Sequence, residues 1–426
     1  MKDLPKDWKW VKLKDVGSII SGGTPSTTIS EYWNGEISWI APSDLTGYKN
    51  IKIKKGKKSI TEIGLKKSSA KLMPKGSVLF SSRAPIGYVV IADEELCTNQ
   101  GFKSVIPNDS TNNLYLYYFL TASKQNAEKV ASGTTFKEIS LKSFADLDFP
   151  LPPLKTQQQI VSKIEELFSE LDKGVEDLKK AQQQLKTYRQ SVLKWAFEGR
   201  LTNENVEDGV LPKGWKIVPI TEVVEKNKHS LKAGPFGSSL KKEFYVKNGY
   251  KIYGQEQVIS DNAFLGEYYI DEDKYQELKS CQIKPYDILI SLVGTVGKVL
   301  ILPPNCKEGV INPRLIKISL ERSIYLPKFF KNYFESSVVK IFYSGVTKGT
   351  TMDVLNLGII KTIPFPLPPI EEQEKIIQEI ESRFSVADKL EENIKESLQQ
   401  AEALRQSILK KAFSGELVKN EIVKNN

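Results

Sequence analysis

Phe149-Pro150-Leu151-Pro152-Pro153-Leu154 opens the stretch of sequence that decides the fold. A long run of mixed polar and apolar residues follows it and ends at Ala196-Phe197-Glu198-Gly199. A proline-rich opening and a terminal glycine are typical of helix boundaries. The run therefore predicts a single helix over residues 157–198, roughly 63 Å long at the ordinary helical rise.

The same stretch occurs a second time, 216 positions later and without a gap. Phe365-Pro366-Leu367-Pro368-Pro369-Ile370 opens the second copy, and Ala412-Phe413-Ser414-Gly415 closes it. An inserted residue would rotate one helix by about 100° relative to the other. Equal lengths therefore indicate that the two helices pair in a fixed register. The residues that repeat in the first copy are Pro150, Pro152, Pro153, Gln157, Ile160, Ile164, Phe168, Arg189, Gln190, Ser191, Leu193, Lys194, Ala196, Phe197 and Gly199.

A globular segment precedes each helix. Leu4-Pro5-Lys6-Asp7-Trp8 begins the first segment, and Leu211-Pro212-Lys213-Gly214-Trp215 begins the second. Each Trp is followed by an alternating run that predicts an opening strand. The chain is thus predicted to be α+β, with two pseudo-symmetric globular α/β domains joined by two long helices that form an antiparallel coiled coil.

The domain boundaries follow from this repeat. We expect a first recognition domain at 1–150, a first helical region at 151–203, a second recognition domain at 204–365 and a second helical region at 366–426. Antiparallel pairing is favoured because parallel helices would need a long return connection. It also predicts that the two ends of the chain meet beside the first domain.

The heptad pattern predicts which helix residues face the partner helix. The second copy contributes three polar residues to this seam (Arg383, Ser397 and Lys411), so we expect an imperfectly packed two-stranded coiled coil. Two ordinary amphipathic core helices are the alternative. Thr156 to Gln159 fits a capping box at the start of the first helix. The first helix supplies Ile164, Leu171, Leu178, Leu185 and Val192, with Ile160, Leu167, Gly174, Ala181, Tyr188 and Trp195. The second supplies Ile380, Ala387, Ile394, Ala401 and Ile408, with Ile376, Arg383, Leu390, Ser397, Leu404 and Lys411.

The net charge of +9 is unevenly spread along the 426 residues. Residues 1–150 contain 21 Lys and Arg against 15 Asp and Glu, residues 211–365 contain 22 against 15, and the rest contains 18 against 22. Basic globular segments joined by mildly acidic helices fit two modules that meet a polyanion and a spacer that does not.

The composition also indicates the cellular compartment in which the protein is expected. No run of 18 apolar residues and no signal-peptide core is present, so a membrane span or export is not expected. Cys97, Cys281 and Cys306 lie far apart, which fits buried thiols in a reducing cytoplasm.

The motifs of catalysis are missing from the sequence. The one histidine, His229, lies in a lysine-rich loop and has no nucleophile or metal-ligand pattern around it. There is no phosphate-binding G-x-x-x-x-G-K-[ST] loop, and Gly294-Thr295-Val296-Gly297 lacks the third glycine of a dinucleotide site. The Asn/Asp-Pro-Pro-aromatic motif of a methyltransferase is also absent. We therefore predict a non-catalytic binding protein without a cofactor or metal of its own.

Several loops carry candidate DNA contacts. Lysines 52–58 predict an edge strand and a basic loop that either contacts phosphates or protects the sheet edge. Arg83 follows a buried strand and could read guanine or bind phosphate, while Gln255 and Gln257 could read adenine. The two Gly-Thr-Thr loops could donate to phosphates or serve as structural turns. The full set is Thr24, Ser26, Lys52, Lys54, Lys55, Lys57, Lys58, Arg83, Thr134, Thr135, Lys137, Ser238, Lys241, Lys242, Gln255, Gln257, Arg314, Lys348, Thr350 and Thr351.

Taken together, these motifs resemble the specificity (S) subunit of type I restriction-modification systems. The resemblance rests on Phe-Pro-Leu-Pro-Pro-x-x-x-Gln and Arg-Gln-Ser-x-Leu-x-x-Ala-Phe-x-Gly-x-Leu, each present twice, and covers residues 4–201 and 211–417. It implies that each domain reads one half of a bipartite, asymmetric site in double-stranded DNA, with the helices as a ruler between the half-sites. It also implies that two methyltransferase subunits and the restriction/translocase subunits dock on the chain, and that S-adenosylmethionine, ATP and magnesium belong to those partners.

Two other functions are compatible with parts of the sequence. A coiled-coil assembly scaffold whose basic domains bind RNA or protein would show the same charge pattern. A self-contained nuclease or methyltransferase would need motifs that the sequence lacks. Salt-dependent, sequence-specific binding to a duplex with two half-sites separates the first of these from the S-subunit hypothesis.

Overall fold

A computed structural model describes residues 4–133, 137–203, 205–207, 209–344 and 355–418. The chain divides into two compact units, the first formed by residues 1–178 with 395–426 and the second by residues 179–394. The division crosses both long helices, so each unit contains part of each helix. Each unit thus combines a globular segment with a section of the helix pair.

The first unit is a layered α/β structure that ends in the first long helix. Its strands are β1 (Lys9–Lys12), β2 (Gly17–Ser21), β3 (Trp33–Ile40), β4 (Lys52–Ile53), β5 (Lys58–Ile60), β6 (Val78–Ser81), β7 (Val89–Ala92), β8 (Leu96–Thr98), β9 (Phe102–Pro107) and β10 (Asp148–Leu151). Its helices are α1 (Glu62–Lys66), α2 (Asn113–Ala122), α3 (Lys124–Val130), α4 (Leu141–Ala145) and α5 (Leu154–Phe197), the last continuing into the second unit.

The strands of the first unit form three sheets. The largest has the order β2-β9-β6-β7-β4, the second has the order β5-β3-β8, and β1 pairs with β10. The β4–β7 and β3–β8 pairs are parallel and the remaining pairs are antiparallel. Along β6, Val78 and Phe80 enter the core that also contains α2, whereas Leu79 enters a second core with Ile40 and Phe102. The central strand is buried along its whole length, and its first three residues are apolar, because both of its faces are covered.

The second unit repeats this plan. Its strands are β11 (Lys216–Val218), β12 (Leu231–Ala233), β13 (Tyr250–Tyr253), β14 (Tyr269–Ile270), β15 (Ile288–Ser291), β16 (Val299–Ile301), β17 (Gly309–Ile311), β18 (Leu315–Ile318) and β19 (Phe365–Leu367). Its helices are α6 (Gln255–Ile259), α7 (Glu272–Glu277), α8 (Pro327–Phe334), α9 (Ser337–Ser344), α10 (Leu357–Thr362) and α11 (Ile370–Phe413), the last continuing into the first unit.

Sheet topology confirms the pseudo-symmetric α+β fold. The order β12-β18-β15-β16 matches β2-β9-β6-β7, the parallel pair β13–β17 matches β3–β8, and β11–β19 matches β1–β10. Strand β4 has no counterpart among the described residues of the second unit, as the unmatched lysine segment predicts. The shared sheets form the scaffold, and the insertions lie at its margins.

The repeated glutamine explains how each long helix is attached. Gln157 is fully buried, and its Nε2 donates to the carbonyls of Ser110 and Pro152, both at 2.9 Å. Its Oε1 accepts from the Asn112 N–H at 2.8 Å, immediately before α2. Gln373 repeats all three bonds, to the Ile324 and Pro368 carbonyls and the Leu326 N–H. One amide therefore ties the start of each long helix to the start of the aromatic helix beneath it.

The repeated Ala-Phe-x-Gly ends are packed against the Leu-Pro starts. In the first unit Phe413 makes edge contacts with Tyr115 and Phe119, at 5.2 and 5.4 Å between ring centroids. Gly415 follows at φ 76°, and a Cβ added there would overlap Cγ of Pro5. The described residues near the two ends of the chain, Pro5 and Gly415, thus meet in the first unit, as expected.

The second unit repeats this packing with the other helix end. Phe197 contacts Phe329 and Tyr333, at 5.3 and 5.0 Å between ring centroids. Gly199 has φ 78°, and a Cβ added there would overlap Cγ of Pro212. A left-handed conformation and a close proline explain why glycine recurs at this position.

In each unit the two long helices run antiparallel, as predicted. In the first unit the guanidinium carbon of Arg405 lies 4.3 Å from the ring centroid of Phe168, and Arg405 pairs with Asp172. In the second unit Arg189 lies 5.1 Å from the ring centroid of Phe384 and 2.6 Å from Asp388. The paired Arg–Phe–Asp contacts involve repeat-equivalent residues, so they fix the same register in both units.

Two details of the helix predictions are wrong. The first long helix begins three residues earlier than the capping pattern indicates, because the Gln157 N–H already bonds to the Pro153 carbonyl at 3.0 Å. Thr156 therefore lies inside the helix. The second set of seam residues is also largely exposed, at Tyr188, Trp195, Leu390 and Leu404.

The exposed seam leaves the helix pair incompletely packed. In the first unit a groove of about 600 Å³ lies between the helices where Gly174, Ser397 and Ala401 provide little side-chain volume. This agrees with the expected imperfect coiled coil. Within the described residues, no helix combines the length and apolar character needed to cross a membrane.

Candidate nucleic-acid interface

The same set of loops converges at the strand ends in both units. In the first unit the loop after β2 lies against the turn at Asn99, where a Cβ on Gly22 would overlap the Asn99 carbonyl. In the second unit Gly234, after β12, lies in the same way against the Asn312 carbonyl. Because only a residue without a side chain fits this approach, the two glycines fix where the flanking loops run.

Both turns are closed by an asparagine side chain. The Asn99 Oδ1 accepts from the Gly101 N–H at 2.8 Å, and the Asn312 Oδ1 accepts from the Arg314 N–H at 2.9 Å. Such a turn holds the backbone without help from a sheet. The recurrence of Asn before a buried strand is the signal that would have identified these turns in the sequence.

In the first unit the predicted Arg83 belongs to a charged cluster. Arg83 Nη1 and Lys103 Nζ each lie 3.4 Å from a Glu138 carboxylate oxygen, and the Ser82 hydroxyl donates to the same carboxylate at 3.4 Å. Lys103 is 6% exposed, so burial fixes its ammonium group in place. The pair of cations exceeds the single carboxylate, and the cluster keeps one net positive charge.

A hydrogen-bonded chain joins this cluster to the loop after β2. Lys103 Nζ donates to the Gln100 carbonyl at 3.2 Å, and the Thr24 hydroxyl donates to the Gln100 side chain. The Ser26 hydroxyl is exposed beside it and bonds to Thr28 at 2.8 Å. Thr24 and Arg83, predicted separately, thus belong to one network. Gln100, Lys103 and Glu138 are members that sequence reasoning missed, since isolated polar residues carry no spacing signal.

The lysine segment lies at the edge of the larger sheet, as predicted. Strand β4 pairs with β7, with Ile53 buried and Lys52 exposed. Lys54 lies 3.4 Å from Glu94 and 3.8 Å from Asp93. A hydrogen bond from Lys75, with further attraction from Lys54, lowers the pKa of the Asp93 carboxyl. Lys54 is therefore ion-paired with neighbouring carboxylates, whereas Lys52 lies exposed on the strand.

The remaining lysines of the segment differ in their surroundings. Lys58 Nζ lies 5.4 Å from the ring centroid of Trp33, whereas Lys55 and Lys57 are exposed. Lys137 is also exposed. Phosphate contact by these residues stays a prediction.

In the second unit Gln255 and Arg314 come together. Gln255 Nε2 donates to the Ser291 hydroxyl at 3.0 Å and to the Val293 carbonyl, and its Oε1 accepts from Arg314 Nη1 at 3.3 Å. Arg314 itself is exposed. Both N–H donors of Gln255 and its Oε1 thus have partners within the unit, so Gln255 orients Arg314, whose exposed guanidinium can reach a base edge.

Gln257 is not available to read a base. It is fully buried, its Oε1 accepts from the Gly254 N–H at 2.7 Å, and its Nε2 donates to the Leu265 carbonyl at 2.7 Å. All of its hydrogen-bonding groups close the loop around α6, so the prediction of an adenine contact is wrong. Sequence alone does not distinguish it from Gln255, two residues away.

The remaining predicted residues lie on the surface of the second unit or outside the described residues. Ser238, Lys241 and Lys242 are exposed, and Lys241 lies 3.6 Å from Glu243. The predictions for Thr134, Thr135, Lys348, Thr350 and Thr351 fall outside the described residues. Their roles stay predictions.

The described residues contain no group of three or more His, Cys, Asp or Glu side chains placed to hold a metal ion. The candidate interface is instead made of hydrogen-bond donors, cations and the carboxylates that pair with some of them. Such groups can bind phosphates and base edges without breaking a covalent bond.

Comparison with known proteins identifies the family. The model of the type I restriction modification DNA specificity domain matches residues 5–180 and 212–400. The chain is 29% identical to the type I restriction enzyme MjaIX specificity subunit of Methanocaldococcus jannaschii, covering 98% of this chain and 95% of the relative. It is 24% identical to the EcoKI specificity subunit of Escherichia coli (strain K12), covering 97% and 90%.

Solved structures share the fold. A chain from a study of complex assembly and conformational transition of the type I R-M system superposes with a TM-score of 0.73 at 20% identity, covering 98% of this chain and all of that one. The HsdS subunit from Thermoanaerobacter tengcongensis gives a TM-score of 0.58 at 19% identity, covering 97% and 98%. The scaffold alternative gains no support from any of these relatives. Since the domain model matches both halves, the chain belongs to the type I restriction modification DNA specificity family and is a non-catalytic DNA-recognition subunit.

Proposed function

We propose that each unit reads one half of a bipartite, asymmetric DNA site. The observation that carries this proposal is the repeated set of loops. The two units share the backbone arrangement of these loops but carry different side chains on them. The first unit presents Arg83 with Lys103 and Glu138, and the second presents Arg314 with Gln255. Two equivalent readers with different contacts suit two different half-sites.

The long helices set the distance between the two half-sites and provide a docking surface for partner subunits. Two methyltransferase subunits and the restriction/translocase subunits bind the chain, and they bring S-adenosylmethionine, ATP and magnesium with them. The recognition domains correspond to residues 1–150 and 204–365, and the helical regions to 151–203 and 366–426. The assembly works in the cytoplasm, where the DNA is found.

Mapping methylated sites in a host that carries this chain with its methyltransferase partner tests the proposal. We expect one bipartite motif with a fixed spacer. Exchanging residues 4–133 for the equivalent segment of a relative should change one half-site and leave the other. Methylation without a bipartite motif, or a change in both half-sites, would contradict the proposal.

The spacer role has its own test. Four residues, about one helical turn, are inserted into both long helices near Leu178 and Ile394. The tolerated spacer between half-sites should lengthen while both half-sites stay the same. An unchanged spacer in a folded, methylating complex would rule out a ruler.

A further inference from the structure

Phe236 is an apolar side chain with no protein cover. It is 86% exposed, more than any other large apolar residue in the described part of the chain. Exposed apolar area of this size is unfavourable in water and gains free energy when a ligand covers it. Its position therefore needs an explanation outside the unit's own packing.

The loop that carries Phe236 is firmly anchored. The Gly234 N–H donates to the Leu315 carbonyl at 2.9 Å, and the Ser239 N–H donates to the Phe236 carbonyl at 2.8 Å. Leu240, just beyond, is buried in the core that contains Ile252 and Leu315. The ring is thus held outward by a short, bonded turn.

The first residue of this loop lies beside the polar residues of the candidate interface. Gly234 packs against the backbone of Asn312 and Pro313, next to Arg314, which bonds to Gln255. Exposed Lys241 and Lys242 follow the loop along the chain. A cationic and amide-rich setting favours nucleic acid over an apolar protein surface as the group that covers Phe236.

The equivalent loop of the first unit ends differently. It begins at Gly22 and carries Thr24, whose hydroxyl is tied to Gln100. At corresponding loops, the first unit therefore has a hydrogen-bonded threonine and the second unit has an exposed phenylalanine ring. Such a substitution changes what kind of base edge the loop can meet.

We propose that Phe236 is a specificity-determining residue that contacts the C5-methyl group of a thymine in the half-site read by the second unit. This inference rests on the proposed function. The thymine methyl is the apolar group that a base presents in the major groove, and Phe is among the residues that contact it. Arg314 beside the loop is exposed, and arginine is a residue type that reads that same groove.

The test uses the complex of the full chain with its methyltransferase partner on a duplex carrying the mapped site. Each thymine of the second half-site is replaced in turn by deoxyuridine, which removes the methyl group alone. One replacement should weaken binding by wild type about fourfold, the value of one buried methyl group. The Phe236→Ala complex should bind the unmodified duplex about as weakly and lose sensitivity to that replacement.

Controls separate this inference from the proposed function. Ile217→Ala removes another exposed apolar side chain of the same unit, 50% exposed, and should keep the deoxyuridine effect. Replacements in the first half-site should affect all three proteins equally. Full deoxyuridine sensitivity in Phe236→Ala, or a second half-site without thymine, would overturn the inference while leaving the bipartite reading intact. Loss of any dependence on the second half-site in wild type would instead overturn the proposed function.

Discussion

Near the long helices the two units are built from the same contacts, whereas at the converging loops they differ. Gln157 and Gln373 make identical sets of three hydrogen bonds, and Arg405 and Arg189 make equivalent ring and carboxylate contacts. At the loops, Thr24 bonds within the first unit while Phe236 projects from the second. Repeated residues thus mark side chains with the same structural role in both units, and divergent ones mark the loops that we propose contact the DNA.

The largest expected effect comes from breaking the shared attachment. Gln157→Leu removes three buried hydrogen bonds and leaves the Asn112 N–H and two carbonyls unpaired, so it should lower the free energy of unfolding by about 3 kcal/mol or more. Gln373→Leu should cost the same. Denaturant titration measures both. Gln158→Leu, at the exposed neighbouring position, is the matched control and should change stability little.

A smaller loss is expected at the helix ends. Gly415→Ala and Gly199→Ala each place a Cβ at positive φ and against a proline, which should cost about 2 kcal/mol. Gly174→Ala is a control with the opposite sign, because a Cβ there meets nothing within 4 Å and alanine stabilises a helix interior by about 1 kcal/mol. Thermal unfolding would contradict this account if all three changes had the same sign.

The next largest effect on stability is expected from the Arg–Phe–Asp contact between the two long helices. Arg405→Met in the first unit, or Arg189→Met in the second, should lower stability by about 1 kcal/mol through loss of the ring contact and a partly exposed ion pair. A double-mutant cycle with Phe168→Leu isolates the Arg405 ring contact. Equal coupling in an equivalent Arg189 and Phe384→Leu cycle would sharpen the match between units, and zero coupling in both would remove it.

The lysine segment should affect DNA binding and leave folding unchanged. Lys55→Ala with Lys57→Ala removes two exposed cations from the segment that lacks a counterpart in the second unit. Each lost phosphate contact should reduce the slope of log affinity against log salt by about 1. Lys241→Ala with Lys242→Ala makes the same charge change in the second unit. An unchanged slope in the first pair would assign its lysines to protection of the sheet edge.

The smallest effect concerns one turn before the central strand, where Ser77 of the first unit corresponds to Asp287 of the second. Burial raises the pKa of Asp287 above its ordinary 3.8, although bonds from Ser319 and the Lys284 N–H lower it. The folded state therefore holds this proton more tightly than the unfolded state. Its contribution to stability is present below the unfolded pKa and is lost as the pH rises through the folded pKa.

Exchange of this acid tests the sign. Asp287→Ser gives the second unit the residue of the first, and its stability relative to wild type should be lower near pH 4 than near pH 7. Denaturant midpoints at both pH values measure the change. Ser77→Ala is the control at the equivalent turn and should show no pH dependence of this kind. If Asp287→Ser instead lost more stability relative to wild type near pH 7 than near pH 4, the Asp287 carboxylate would be stabilised on folding.

The sequence predicted the parts of the fold that repeat. Equal spacing, recurrent prolines and the Gln and Phe positions were enough for two α/β units and antiparallel helices, because each has a fixed structural duty. The start of the first long helix was misplaced because the Pro153 carbonyl, just before Leu154, already accepts a helical hydrogen bond from the Gln157 N–H. The exposed seam at Tyr188 and Trp195 was missed because a heptad pattern does not reveal how far apart two helices lie.

The candidate interface was predicted less completely, for a physical reason. Arg83 was predicted because it follows a buried strand at a turn, and its contact with DNA stays a prediction. Glu138 and Lys103 come together from distant parts of the chain, and no spacing rule connects them. Gln255 and Gln257 lie two residues apart, and the sequence does not show that Gln257 is fully buried whereas Gln255 bonds to the exposed Arg314.

The packing of Phe413 on Tyr115 and Phe119 has a consequence for synthesis on the ribosome. The second unit is one continuous stretch, residues 179–394, whereas the first needs residues 395–413 to cover its aromatic surface. At ordinary translation rates the wait between these segments is roughly 10–50 s. During that time the nascent chain carries an uncovered apolar face, so the part made first is the part finished last.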